Sequence, residues 1–182
     1  MPEVLLKLPD RAQLRNHVIE SLSSYWQKNT DLLEEFPICD VGDPEIKGPL
    51  KLQSVELPEW ALQWTVDGVV LIPAEASIMD NCRQSVHWQK VDWWLAMFLL
   101  LEGWHERIYE KLHGTIHSYS FRLKGWDKRA WDHAWVNRMA LFLRKWALRE
   151  NNKSEDFFGN LPDPKLIITH DVDAVKKTMP IR

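Results

Sequence analysis

The run Trp93-Trp94-Leu95-Ala96-Met97-Phe98-Leu99-Leu100-Leu101 contains no polar side chain. With Val91 ahead of it, the stretch is apolar nearly all round, broken only by Asp92. A helix without a polar face has to be enclosed on every side. Nine residues fall well short of the roughly 20 that a membrane span needs. The run therefore predicts a helix, over Trp88–Ile108, buried inside a globular domain and wrapped by amphipathic elements. Asp92 is a charge in an apolar setting, and a buried carboxylate needs a partner. We expect it to cap the helix or to pair with Lys90 or with a cation of the next loop: Arg122, Lys124, Lys128 or Arg129.

Two further segments have the pattern of wrapping helices. Leu14, Val18, Leu22 and Trp26 recur every four residues behind Asp10, a natural N-cap. They predict a helix over Arg11–Gln27, with Arg11, Arg15 and Glu20 on the other side. Trp135, Met139, Phe142, Leu143 and Trp146 form the stripe of a helix over Asp132–Arg149. Asp132 is its expected cap, and Asn137, Arg138, Arg144 and Lys145 are expected to face water. Short strands are expected at Glu3–Leu8 and Leu50–Leu57, and a hairpin at Leu62–Pro73. Its Asp67-Gly68 pair between Gln63–Val66 and Val69–Ile72 is a strong two-residue turn signal. Residues 28–60 carry too many prolines and glycines for a long helix, and His113–Leu123 suits a loop with a short extended piece. The expectation is an α+β domain over residues 1–160, with three main helices and a small sheet, and a linker at Asn151–Pro164.

Tryptophan supplies 11 of the 182 residues, which calls for either a dense aromatic core or exposed stacking platforms. Trp26, Trp93, Trp94, Trp135 and Trp146 lie on core stripes or in the buried helix. Trp60, Trp64, Trp104, Trp126 and Trp131 are freer, and an indole face can also stack on a sugar ring. The net charge of −3 gives no general attraction to nucleic acid. Cys39 and Cys82 cannot form a disulfide framework and suit a reducing compartment. The first residues lack the basic and apolar regions of a secretory signal, so a cytoplasmic protein is expected. His113-Gly114-Thr115-Ile116-His117 has the spacing of a zinc-binding helix face, but Gly114, Thr115 and Ile116 disfavour a helix.

Beyond the linker, Leu166-Ile167-Ile168 has the composition of a strand buried on both faces, and His170-Asp171-Val172-Asp173 follows it at once. Two carboxylates at the C-terminal end of such a strand suit metal-assisted hydrolysis, one binding a divalent ion and the other activating water. The same pair also suits a helix cap or a turn. Leu166 to Asp173 resembles the first motif of the polysaccharide deacetylase superfamily, carbohydrate esterase family 4. Its members are metal-dependent sugar de-N-acetylases on a distorted (β/α) barrel. In members with the Asp-x-Asp form of the motif, the first carboxylate is the catalytic base and the second a metal ligand. The resemblance thus implies Asp171 as base and Asp173 as ligand of a divalent metal, zinc above all.

The preceding chain resembles the region found ahead of the deacetylase domain in bacterial polysaccharide-biosynthesis proteins. The matching pieces run in order: Val91-Asp92-Trp93-Trp94, Phe98 to Glu102, His113-Gly114-Thr115, Lys124-Gly125-Trp126-Asp127 and Val136-Asn137. Where that family has an acidic, tyrosine-bearing stretch, this chain has Gly103-Trp104-His105-Glu106-Arg107. The family's metal histidines lie in a downstream His-x-x-x-His motif, for which the nine residues after Asp173 leave no room. The resemblance therefore implies the front part of a longer enzyme: an accessory domain over 1–160, then, over 161–182, a linker and the first strand of a truncated barrel. Its substrate would be an N-acetylated sugar or polysaccharide precursor, and the fragment alone would be inactive. A non-catalytic carbohydrate-binding or protein-interaction module is the alternative. With barrel neighbours missing, the Leu166–Ile168 strand is expected to pair with the small N-terminal sheet or to be poorly ordered.

Overall fold

Asp92 opens the central helix and Gly103 closes off its end. In the computed structural model, which describes residues 6–34, 36, 39–78, 85–116 and 125–163, the apolar run forms one helix bounded by these two residues. The helices in chain order are α1 (Arg11–Ser21), the single turn α2 (Asp31–Glu34), α3 (Trp93–Leu101), α4 (Trp104–His113) and α5 (Trp135–Glu150). The strands are β1 (Leu52–Glu56), β2 (Val69–Pro73) and β3 (Val86–His87). Trp93 to Leu99 are all buried, as a helix without a polar face requires. Packed around α3 are α1, α4, α5 and β2. The result is an α+β domain.

The expected helix over Trp88–Ile108 is in fact three pieces. A 3₁₀ turn covers Trp88–Lys90, and Asp92 Oδ1 then accepts from Leu95 N at 2.9 Å, capping α3. Gly103 adopts φ +53°, a left-handed conformation that few other residues take without strain, and α4 departs from there. The side chain of Arg107 ties down the corner by donating to Glu102 O at 2.7 Å and pairing with the Glu102 carboxylate.

The sheet has the order β2-β1-β3. β1 runs antiparallel to β2, with Leu52 opposite Pro73 and Glu56 opposite Val69, and parallel to β3. Val70, Leu71 and Ile72 are consecutive yet all buried, so both faces of β2 are covered. The Asp67-Gly68 turn forms as expected: both residues have positive φ, and Val66 and Val69 exchange backbone hydrogen bonds. Its first arm does not become a strand. Glu59–Trp64 winds into a 3₁₀ helix that buries Ala61 and lays the Trp60 ring on Phe142, and β2 pairs with β1 instead. Arg138 closes that turn by donating to Trp64 O and Thr65 O. Packing and a distant cation outweigh the local strand pattern.

The other amphipathic helices keep their stripes but change their ends. Helix α1 stops at Ser21, and a 3₁₀ turn over Ser23–Tyr25 carries Trp26 back onto the stripe, where its Nε1 donates to Ile19 O. Asp10 caps α1 through Gln13 N. Helix α5 begins at Trp135 rather than Asp132, which instead closes a 3₁₀ turn over Lys128–Trp131. Of the expected strand Glu3–Leu8, the described part, Leu6–Leu8, has no strand structure. The segment read as a linker is bound to the domain as far as Asn160. Phe158 is fully buried, Phe158 O accepts from Gln27 N, and Gln27 Nε2 donates to Asn160 O. Leu166–Ile168 lies outside the described residues.

Candidate functional site

Asp171 and Asp173, the carboxylates singled out in the sequence, lie outside the described residues, as do His117, Cys82, Arg122 and Lys124. Among the described residues no three His, Cys, Asp or Glu side chains gather as a metal shell. His113 is the last residue of α4. Gly114, at φ +88°, ends the helix, and the His113 ring rests 4.5 Å from Tyr109. Among the described residues no helix is long and apolar enough to cross a membrane.

The described residues hold three buried charged groupings. The first joins α1 to α3. Asp92 is 2% exposed, and its Oδ2 lies 2.5 Å from Arg11 Nη2. That nitrogen also donates to Asp40 Oδ1 and Gly42 O. Asp92 has the helix-cap and ion-pair roles expected of it, but its cation is Arg11, on the side of α1 assigned to solvent. A cavity of about 140 Å³ beside the pair is lined by Arg15, Phe36, Cys39 and Trp94 as well. Burial pushes the Cys39 thiol up, and Asp92 and Asp40 add to that against Arg11, which favours the protonated sulfur.

Burial also pushes the Asp92 carboxyl up, against its hydrogen bond from Leu95 N and the charge of Arg11. The folded state then holds this proton more tightly than the unfolded chain does. Its contribution to stability falls as pH rises from the unfolded value of 3.8 through the raised folded value, and is flat above it. Asp92→Asn keeps an N-cap acceptor and removes this titration. Urea unfolding at pH 4 and pH 7 should show the stability difference moving in favour of the variant at the higher pH. A shift in favour of the wild type would mean that the Arg11 pair dominates.

The second grouping joins the turn after β2 to α4. His105 is 1% exposed, with Nε2 3.4 Å from Glu75 Oε1. Burial raises the Glu75 carboxyl, but the nearby His105 imidazole and a hydrogen bond from its own backbone outweigh this and leave it below its ordinary value. The third is Arg144, which is buried on α5 rather than facing water. It donates to three carbonyls, Tyr25 O, Glu155 O and Gly159 O. All three groupings join one element to another, which is a structural role.

A different kind of place opens where α3 ends, α4 begins and α5 starts. Here a cleft of about 330 Å³ is floored by Leu50, Leu100 and Leu101 and edged by Glu106, Trp131 and Asn137. Trp131 is 47% exposed, and its ring stacks on buried Trp126 with 6.3 Å between centroids and 22° between planes. Of the five tryptophans read as freer, it alone is exposed. Trp60 and Trp64 are half-buried, while Trp104 and Trp126 are buried. Asn137 is exposed, as expected of its helix face, and it edges this cleft, with its Nδ2 donating to Tyr25 Oη at 2.6 Å. The cleft is assembled from three separate segments, so no local motif announces it. No family model matches the chain, and neither does any curated protein or solved structure.

Proposed function

We propose that this chain is the N-terminal part of a metal-dependent polysaccharide deacetylase of bacterial surface-polysaccharide synthesis, acting in the cytoplasm. The observation that carries the reading is the run Leu166-Ile167-Ile168-Thr169-His170-Asp171-Val172-Asp173, an apolar strand pattern delivering two carboxylates. Asp171 is the base that activates water, and Asp173 is a ligand of a divalent metal, zinc, with the other ligands supplied by a barrel that follows. The fold supports a division at this point. The accessory domain is already packed at Phe158 and Asn160, and Leu161 is exposed at the edge of it.

The reading frame beyond Arg182 is expected to encode a His-x-x-x-His pair. The protein that includes it is expected to release acetate from N-acetylated oligosaccharides in a zinc-dependent way. Asp171→Asn should lower that rate by about 10²-fold or more and leave the unfolding midpoint unchanged. A frame without the histidine pair, or full activity in Asp171→Asn, overturns the proposal. The alternative of a carbohydrate-binding module without catalysis draws on one observation, the cleft edged by Trp131.

A further inference from the structure

We draw no further inference here: the strongest candidate, the open groove of about 400 Å³ between the Glu59–Trp64 turn and α5, lined by Trp64, Leu141, Lys145 and Leu161, carries none, because nothing in the structure shows what covers it.

Discussion

Phe142→Ala is expected to destabilise the domain by about 4 kcal/mol, within the range of buried aromatic truncations. Phe142 is fully buried on α5, and four indoles surround it. Its ring centroid lies 4.9 Å from Trp93, 5.6 Å from Trp60 in a stacked arrangement, 5.7 Å from Trp146 and 5.9 Å from Trp88. These rings come from α3, from α5 and from the 3₁₀ turns Glu59–Trp64 and Trp88–Lys90, so one benzyl group fills the point where helices and sheet meet. Indoles are large and rigid and do not collapse readily into a void, so most of the cavity persists and its lining loses dispersion contacts outright. Urea denaturation measures the loss, and the unfolding midpoint should drop by about 10 °C. Trp131→Ala is the internal comparison: its ring is half exposed, and its removal should cost under about 1 kcal/mol. A loss below about 2 kcal/mol for Phe142→Ala would mean that the indoles repack.

The same chemistry explains which parts of the fold were legible in the sequence. Trp93 to Leu101 could only be buried, because no face of it tolerates water. The stripes of α1 and α5 carried their own periodicity, and Asp67-Gly68 carried its own turn. What failed was whatever depends on residues far apart in the chain. The partner of β2 is β1, and nothing in Gln63–Val66 shows that the packing of Trp60 on Phe142 will wind that stretch into a 3₁₀ helix. Gly103 marks a helix break only because its φ is positive, and a single glycine after an apolar run is equally tolerable inside a helix.

Charged residues misled most. Arg11 and Arg144 sit at helical positions that read as solvent-facing, yet one neutralises a buried aspartate and the other solvates three carbonyls. Periodicity records that a side chain is polar, not that a distant loop needs its donors. The candidate site divides in the same way. The Asp171–Asp173 pair stands out in the sequence because it is contiguous, but it lies outside the described residues. The Trp131 cleft was not legible, because its lining comes from three segments: Leu50, Leu100 to Glu106, and Ala130 to Asn137.

Arg144 carries the second large expectation: Arg144→Met should cost about 3 kcal/mol, because it leaves part-buried carbonyls without their donor. The guanidinium is buried on α5 without a described carboxylate bonded to it, and burial pulls its pKa down from the ordinary arginine value. It remains charged, because arginine keeps its proton in proteins. Its stabilisation comes from carbonyl dipoles: Nη1 donates to Tyr25 O, and Nη2 to Glu155 O at 2.8 Å and to Gly159 O. The Phe158 ring lies 5.5 Å from the guanidinium carbon. Methionine fills similar space and leaves those carbonyls without their donor, at the desolvation cost of each. Lysine restores the charge but not the planar fork, so Arg144→Lys should recover only part of the loss. The damage should also be local before it is global. Hydrogen exchange is expected to accelerate first around Phe157–Asn160, whose backbone this arginine shares with Gln27 and Asn29. Uniform loss of protection across α3 and α5, with Phe157–Asn160 unaffected, would show that Arg144 is only a packing residue. If the local order holds, the fork fixes the backbone just ahead of Leu161. Under the deacetylase proposal, that is the fixed point from which the strand bearing Asp171 and Asp173 must start.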